Sequence, residues 1–249
     1  MSPNPNTITE RLLIEAGISI GMRVLDIGCG SGEVSLLLAR MVGSNGEVLG
    51  IDHDEQSITV ARKRVQNQNL SNVNFLKSDL SEPLPELGFF DAAVGRRILM
   101  YLPNPVATIR HISTALQPNG VLVFQESDST MVPGRLKFLP LHEQVNDWIR
   151  QTVEREGANI HMGFDLPSTF EQAGLTVASI RAEAIIQGQN THYPLATVVR
   201  AMLPRIIQHG VATEKEIDIE TLDQRLKAER PSSTVYVSDM AFGIWARKP

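Results

Sequence analysis

Cysteine is almost absent from this chain, which has Cys29 as its single example among 249 residues. A lone cysteine excludes an intramolecular disulfide and is typical of proteins in a reducing compartment. Long apolar runs are also missing, because no segment approaches the ~18 apolar residues that span a bilayer. The first ten residues, MSPNPNTITE, lack the basic start and apolar core of a secretion signal. We therefore expect a cytoplasmic protein with no membrane partner.

An excess of basic residues is missing as well. Lys and Arg total 23 against 28 Asp and Glu, and the formal net charge is −5. Nucleic-acid binding rests on clustered basic residues, so this balance predicts no nucleic-acid partner. No His-x-x-x-His or paired-cysteine spacing indicates a metal site. What remains is an ordinary globular composition, with 42% hydrophobic and 20% charged residues.

Short apolar segments bounded by turn residues alternate with segments of helical periodicity in the first half of the chain. The pattern predicts strands at 23–27, 47–51, 73–76, 90–94 and 121–125, and helices at 8–16, 33–42, 54–68 and 105–116. Five strands joined by helical crossovers predict an α/β fold with a parallel, doubly wound sheet.

The regular alternation ends near residue 126. Helices are predicted at 141–156 and 166–173, and strands at 177–186 and 234–246. We expect one domain over 1–249 with a cofactor-binding core at about 20–126, a sheet completed by 175–187 and 234–247, and helical cap insertions at 127–163 and 188–233. Insertions near the ligand-bearing edge of a sheet commonly act as lids, so the cap is expected to set substrate identity.

The most informative motif is VLDIGCGSGE, which runs from Val24 to Glu33. It places a strand, a glycine turn and a helix in succession, so that ligand atoms can approach the backbone at the carboxyl edge of the sheet. The glycines are Gly28, Gly30 and Gly32, a GxGxG spacing, whereas the dinucleotide fingerprint is GxGxxG.

Three aspartates, one inside this motif and two at the ends of later strands, add evidence about the cofactor. Asp26 stands two residues before the first glycine, where it would repel the pyrophosphate of a dinucleotide but tolerate the cationic amino-acid tail of S-adenosylmethionine. Asp52, at the end of EVLGID, suits hydrogen bonding to ribose hydroxyls of either cofactor. Asp79 follows the third strand, where it can meet an adenine amino group or act only as a turn carboxylate.

With these motifs the sequence resembles the class I S-adenosylmethionine-dependent methyltransferases, over about residues 20–126 and again at the closing strand. The matching segments occur in order: VLDIGCGSG, GIDHDEQSI, FLKSDLSEPLP, FDAAVGRRILMYLPNP and LQPNGVLVFQE. The resemblance implies a Rossmann-like seven-stranded sheet of order 3-2-1-4-5-7-6 with an antiparallel last strand. It also implies a cofactor site formed by Asp26, Gly28, Cys29, Gly30, Asp52, His53, Ser78, Asp79, Leu80, Gly95 and Arg96.

The roles within that site also follow from the resemblance. The glycine turn and Asp26 would face the methionine tail, Asp52 would hold the ribose, and His53, Asp79 and Leu80 would surround the adenine. The likeness is closest to the small-molecule branch that includes ubiquinone and menaquinone methyltransferases. Met100 and Tyr101 occupy the positions at which those proteins often have a sequence similar to LHHLPDP, and this difference argues against quinone substrates. The Asn/Asp-Pro-Pro-Tyr/Phe stretch of nucleic-acid amine methyltransferases is also absent after the fourth predicted strand.

A methyl transfer needs alignment, and a general base helps when the nucleophile is a hydroxyl or an ammonium. The candidate bases or positioning groups are His161, His142 and Tyr101, with His192 and Tyr193 as further candidates. The candidate substrate-binding residues are Arg97, Tyr101, Trp148 and Phe164. Surface or packing roles remain alternatives for each of them. Arg96 and Arg97 can also form salt bridges to Asp91 or Glu126, in place of holding a substrate anion.

The sequence thus predicts transfer of the methyl group of S-adenosylmethionine to an oxygen, carbon or nitrogen of a small, partly apolar metabolite, in secondary metabolism for example. A homodimer is expected. Two alternatives stay open at this point. One is a nicotinamide-dependent oxidoreductase on a related sheet, which the GxGxG spacing and Asp26 disfavour. The other is a cofactor-binding interaction module without catalytic activity.

Overall fold

The computed structural model describes residues 5–80, 82, 84–85, 87–130, 134–135, 137–187, 195–230 and 235–249. The described strands are β1 (Arg23–Ile27), β2 (Glu47–Asp52), β3 (Val73–Lys77), β4 (Phe90–Arg96), β5 (Leu116–Ser127), β6 (Gly134–Arg135), β7 (Thr176–Gln187) and β8 (Tyr236–Arg247). The helices are α1 (Pro5–Ala16), α2 (Glu33–Val42), α3 (Glu55–Asn67), α4 (Pro105–Thr114), α5 (Pro140–Arg155), α6 (Met162–Gln172), α7 (Leu195–Gln208), α8 (Glu214–Ile217) and α9 (Ile219–Glu229), with a 3₁₀ turn at Leu99–Tyr101. None of these described helices is long and apolar enough to cross a membrane.

The strands form one sheet in the order β3-β2-β1-β4-β5-β8-β6, and β7 pairs with β8. Strands β1 to β5 are parallel, and β8 runs antiparallel to both β5 and β7. With β7 and β8 as the sixth and seventh long strands, this is the predicted order 3-2-1-4-5-7-6 with an antiparallel last strand. The Rossmann-like α/β fold predicted from the sequence is therefore confirmed.

One strand was not predicted from the sequence. The two-residue β6 pairs with β8 at Val237 and Tyr236, so the described sheet has eight strands rather than seven. Two residues carry no hydrophobic periodicity, which explains why the pattern at 127–163 gave no strand. Helix α6 also begins earlier than predicted, at Met162 rather than at residue 166. The predicted start put Pro167 in the first turn, where proline is most common, whereas the observed helix contains Pro167 in its interior.

Different helices cover the two faces of the sheet because successive side chains of a strand point to opposite sides. Val24 packs in the buried cluster that contains residues of α1 and α2. The next residue, Leu25, belongs to the cluster that contains residues of α4 and α6. Both faces of β1 are therefore apolar, as a parallel sheet buried between helix layers requires.

Helices α5, α7 and α9 contact one another and form a further layer, called the helical layer below. Trp148 of α5, Met202 of α7 and Leu226 of α9 belong to the same buried cluster as Leu25. Arg205 of α7 donates from Nε to Oε1 of Glu156, at the end of α5, over 2.6 Å. The same guanidinium lies 5.7 Å from the ring centre of Tyr101, which connects the helical layer to the turn that follows β4.

Candidate active site

The glycine turn between β1 and α2 has a backbone that only glycine adopts easily. Gly28, Gly30 and Gly32 have φ values of 65°, 50° and 80°, in the left-handed region. A Cβ atom at Gly28 would lie 2.7 Å from Cδ1 of Ile98, so this glycine is also required by close packing. A Cβ atom at Gly30 would have no protein atom within 4 Å. The turn is thus packed from below at Gly28 and open above Gly30.

Asp52, the last residue of β2, fixes this turn. Its Oδ2 accepts the backbone N–H of Gly30 over 2.8 Å, and its Oδ1 accepts that of Asp54 over 2.9 Å. Asp54 in turn caps α3 by accepting the backbone N–H groups of Gln56 and Ser57. Each carboxylate oxygen of Asp52 retains a further acceptor position. Asp52 therefore holds the open glycine turn and presents acceptors at the carboxyl edge of the sheet.

Asp26 lies beneath the turn and is almost completely buried. Ser35 of α2 donates its hydroxyl to Oδ2 of Asp26 over 2.5 Å. Burial raises the pKa of Asp26 to about 6, and the hydrogen bond from Ser35 opposes that rise. Cys29 is buried beside it, and burial raises the pKa of its thiol, so Cys29 is a packing residue and not a reactive thiolate.

The other predicted cofactor residues line the same edge. Ser78 donates its backbone N–H to the carbonyl of Asp52 over 2.9 Å, which places the turn after β3 beside β2. The side chains of Asp79 and His53 are exposed, while Leu80 is buried. A Cβ atom at Gly95 would lie 2.3 Å from Cε1 of Phe124, so Gly95 is required by packing of β4 on β5.

The two arginines at the end of β4, Arg96 and Arg97, have acidic neighbours that were not predicted from the sequence. Arg96 donates from Nη2 to Oε2 of Glu33 over 2.6 Å, and Nη2 of Arg97 lies 3.9 Å from Oδ2 of Asp239. Of the two carboxylates proposed as salt-bridge partners, Glu126 is close enough that the positive charge of Arg97 opposes the rise that burial causes in its pKa. Asp91 accepts the backbone N–H of Arg23, at the opposite end of β1 from the glycine turn.

Two buried carboxylates, Glu126 and Asp128, lie at the end of β5 and just after it. The sequence analysis named Glu126 only as a salt-bridge partner and did not single out Asp128. Oε1 of Glu126 accepts the backbone N–H groups of Ile98 and Leu99 over 2.9 and 2.8 Å. Burial raises the pKa of Glu126 to about 7. Oδ1 of Asp128 accepts the backbone N–H and the hydroxyl of Thr130. The remaining oxygens, Oε2 of Glu126 and Oδ2 of Asp128, are buried and accept no hydrogen bond.

His161 lies next to this pair of carboxylates, at the start of α6. Its Nδ1 is 3.8 Å from Oδ2 of Asp128 and 3.5 Å from the Thr130 hydroxyl. The imidazole side chain is 59% exposed. Phe164, one turn further along α6, is 58% exposed and its ring centre is 4.9 Å from that of Phe242. The structure thus brings a predicted base and a predicted apolar substrate contact to one place.

Two other candidates are located within the helical layer. His142 is only 2% exposed, and its Nδ1 lies 2.8 Å from Oε2 of Glu229, the last residue of α9. Glu229 also accepts the backbone N–H groups of Leu141 and His142, so it caps the start of α5. Trp148 is buried in the core of the same layer. These contacts favour packing roles for His142 and Trp148. His192 and Tyr193 lie outside the described residues.

The described edge fits S-adenosylmethionine better than it fits a dinucleotide. The open space above Gly30 admits a ligand to the backbone, and the acceptors of Asp52 suit hydroxyl groups. The buried Asp26 places a carboxyl beneath the glycine turn, where its negative charge would disfavour a pyrophosphate bound above. Among the residues that the structure describes, no group of three or more His, Cys, Asp and Glu side chains is arranged to hold a metal ion.

Comparison with known proteins identifies methyltransferases, the class that the sequence motifs resemble. A family described as "Methyltransferase domain" matches residues 18–193. A demethylmenaquinone methyltransferase from Staphylococcus aureus (strain MRSA252) is 29% identical over 124 residues, which are 50% of this chain and 51% of that protein. The chain thus matches about half the length of such curated relatives.

Solved structures share the fold. A SAM-dependent methyltransferase from Aquifex aeolicus aligns over 99% of this chain and 94% of its own, with a TM-score of 0.59 and 20% sequence identity. Phosphoethanolamine N-methyltransferase 2 of Haemonchus contortus, solved in complex with S-adenosyl-L-methionine, aligns over 100% of this chain and 54% of its own. Its TM-score is 0.60 at 17% identity. At these identities the structures establish the arrangement of strands and helices.

Proposed function

The chain belongs to the methyltransferase-domain family, and from that premise we propose that it transfers the methyl group of S-adenosylmethionine to an oxygen, nitrogen or carbon atom of a small, partly apolar molecule. S-adenosylmethionine is its cofactor, and it supplies a methyl group on a positively charged sulfur. The rest of the catalytic task falls to the residues of this chain. They must bind the cofactor at the carboxyl edge of the sheet, exclude water and align the acceptor atom.

The observation that carries this proposal is the contact between Asp52 and the glycine turn. Asp52 accepts the backbone N–H of Gly30 at the one glycine of the turn that has open space above it. A hydroxyl-bearing ligand that enters this space meets an acceptor already fixed in position, so little ordering is required on binding. The cofactor set that we propose consists of the eleven residues predicted from the sequence, with Asp26, Cys29 and Gly95 acting through the shape of the turn and strand ends.

The substrate is proposed to bind between the end of β5 and the 3₁₀ turn after β4. The backbone N–H of Asn159 donates to the carbonyl of Met100, so the segment before α6 lies against that turn. Tyr101 and Phe164 expose aromatic surface there, which suits a partly apolar substrate. Arg97 is a further candidate contact. We retain His161 as the proposed base and assign His142 to packing of the helical layer.

The helical layer is proposed to act as the cap that sets substrate identity. Arg205 of α7 contacts both Glu156 and the ring of Tyr101. A movement of α7 would therefore displace Tyr101 at the proposed substrate site. Limited proteolysis tests this role. Cleavage within 195–230 should slow when a substrate joins the cofactor, and an unchanged cleavage rate would contradict the role.

The curated relatives are named for a quinone substrate, but the presence of Met100 and Tyr101 after β4 leads us to propose a different small molecule. A cytoplasmic location and a homodimer remain predictions. Sedimentation at several protein concentrations tests the dimer.

A product screen tests the proposed function directly. The protein is incubated with methyl-labelled S-adenosylmethionine and a mixture of small metabolites, and labelled products are sought by mass spectrometry. Asp52→Ala is the matched control, because it removes the acceptor that holds Gly30. We expect a labelled product that the control forms far more slowly. Binding of the cofactor without any labelled product would instead support the interaction module.

A further inference from the structure

We infer that Asp128 and His161 form a carboxylate–imidazole pair, in which Asp128 keeps the proton of His161 on Nδ1 and leaves Nε2 as the proton acceptor for a substrate hydroxyl or amine. This inference rests on the proposed function and narrows its substrate to a nucleophile that must lose a proton. Asp128 acts as a positioning residue and His161 as the group that meets the substrate.

The first support is the unbalanced hydrogen bonding of Asp128. Its side chain is completely buried, and Oδ1 already accepts both the backbone N–H and the hydroxyl of Thr130. Oδ2 is equally buried but accepts no hydrogen bond. A buried carboxylate oxygen without a donor is costly, because the oxygen has lost its hydration and gained no hydrogen bond in exchange. The imidazole Nδ1 of His161 lies 3.8 Å away, so a small rotation of the ring would supply that donor.

The second support concerns the tautomer of the imidazole. Nδ1 has two close neighbours, Oδ2 of Asp128 at 3.8 Å and the Thr130 oxygen at 3.5 Å. The hydrogen of the Thr130 hydroxyl is donated to Oδ1 of Asp128, so its oxygen faces Nδ1 as an acceptor. Both neighbours therefore favour a proton on Nδ1. In a neutral imidazole this leaves the lone pair on Nε2.

The third support is that the backbone holds the pair in place. Ser129 donates its N–H to the carbonyl of Ile160 over 2.9 Å, and His161 donates its N–H to Oδ1 of Asn159 over 2.9 Å. A Cβ atom at Gly163 would lie 3.1 Å from the backbone N of Asp128, so a glycine there lets α6 approach the end of β5 closely. The backbone of His161 is thus held beside Asp128, while its ring is largely exposed and can rotate toward Oδ2.

The position of the pair suits a reaction at the cofactor edge. Asn159 donates its N–H to Met100 of the 3₁₀ turn, and Ile98, just before that turn, packs under Gly28. The segment that carries His161 is therefore joined to the glycine turn through the 3₁₀ turn. Phe164 exposes its ring one helical turn away on the same helix, next to the proposed path of the substrate.

In the proposed step the substrate loses a proton as it gains the methyl group. The O–H or N–H bond of the substrate breaks and its proton passes to Nε2 of His161. The freed electron pair forms the bond to the methyl carbon, and the pair of the breaking C–S bond stays on sulfur, which becomes neutral. Asp128 stabilises the imidazolium that results, in the manner of a buried carboxylate behind a catalytic histidine.

Other charged groups lie near the pair and contribute to the electrostatic potential at the imidazole. Among the described residues these are Glu126 on β5, Asp239 on β8, Arg97 after β4 and Asp165 on α6. Asp165 accepts a hydrogen bond from Nδ2 of Asn159 over 2.7 Å, so it is held one turn from the ring. Replacement of Asp128 removes the carboxylate nearest to Nδ1, and replacement of Asp165 removes a carboxylate of the same charge further away.

The test is nitrogen NMR of the full chain labelled at its histidines and saturated with S-adenosylhomocysteine. His161→Gln identifies the signals of His161 by their loss. In the unaltered protein we expect the neutral ring to carry its proton on Nδ1. In Asp128→Asn we expect part of the neutral ring to carry its proton on Nε2 instead, because the carboxylate oxygen that faces Nδ1 is lost. Asp165→Asn, the control, should leave the tautomer unchanged.

The activity measurement uses the substrate that the product screen identifies. His161→Gln should lower kcat by about 100-fold or more, with the dissociation constant of S-adenosylhomocysteine unchanged. Asp128→Asn should lower kcat by less than His161→Gln does, because Nε2 then carries the proton in only part of the molecules. A proton on Nε2 in the unaltered protein would overturn the pair, and so would equal tautomer changes in the two Asp→Asn variants. Failure to bind S-adenosylhomocysteine would instead contradict the proposed function.

Discussion

The buried carboxyl of Glu126 gives a stability prediction with a definite dependence on pH. Burial raises its pKa from an ordinary 4.5 to about 7 in the folded chain. Above pH 4.5 the unfolded chain releases this proton while the folded chain keeps it. The contribution of the protonated Glu126 to the free energy of unfolding is therefore fully present below pH 4.5 and is lost as the pH rises through about 7.

The magnitude follows from the linkage between proton binding and folding. One pKa unit corresponds to about 1.4 kcal/mol, so the rise at Glu126 amounts to about 3 kcal/mol of unfolding free energy. Glu126→Gln removes the titration and keeps an oxygen that can accept the N–H groups of Ile98 and Leu99. The free energy of unfolding of the variant should gain about 3 kcal/mol relative to the unaltered protein between pH 4.5 and pH 8.

Urea unfolding at a series of pH values between 4.5 and 8 measures this difference. Asp26, whose pKa is also raised by burial, titrates in both proteins, so the difference isolates Glu126. Glu171→Gln, at an exposed position of α6, is the matched control and should show a nearly constant difference. A constant difference for Glu126→Gln as well would refute the reasoning, because the carboxyl would then not occupy a site that disfavours its charge.

Further predictions concern the cofactor edge. Asp52→Ala should weaken binding of S-adenosylhomocysteine by about 1–3 kcal/mol in a calorimetric titration, whereas Asp54→Ala should mainly lower stability, by about 1 kcal/mol, through loss of the α3 cap. Equal losses of affinity in the two variants would remove Asp52 from the ribose role. Gly28→Ala should destabilise the fold, because the new Cβ would meet Ile98 at 2.7 Å, and Ile98→Ala should partly relieve this. Gly30→Ala should lower stability through its left-handed φ of 50° and should also weaken cofactor binding by the folded variant. Unchanged affinity of the folded variant would show that the space above Gly30 is not the cofactor site.

The core strands of the sheet could be predicted from the sequence because each of them is a short apolar run that ends at a recognisable turn. Strand β1 was predicted at its observed bounds, and the carboxylates Asp26 and Asp52 were found from their spacing to the glycines. Strand β5 is longer than predicted, since it includes the segment from Leu116 to Gly120 that has the composition of a turn. Leu116 pairs with Phe90 of β4, and Asn119 and Gly120 exchange backbone hydrogen bonds with Lys248 just after β8. These contacts override the local preference for a turn.

The proposed base shows the limit of sequence reasoning more clearly. His161 and His142 looked equivalent, because both flank predicted helices of the cap. The difference lies in their partners: Glu229 is 87 residues from His142 in the sequence, whereas Asp128 is 33 residues from His161. Neither pairing leaves a trace in hydrophobic periodicity. Asp128 was missed for the same reason, since its burial depends on how closely Gly163 lets α6 approach β5.

The central claim is that the glycine turn held by Asp52 binds S-adenosylmethionine. Isothermal titration of the full chain with S-adenosylmethionine, S-adenosylhomocysteine and NAD tests it most directly. The structure and the family membership predict that the first two ligands bind at one site per chain and compete with each other, and that NAD gives no binding heat. Saturable binding of NAD, together with no response to S-adenosylmethionine or its product, would contradict the claim.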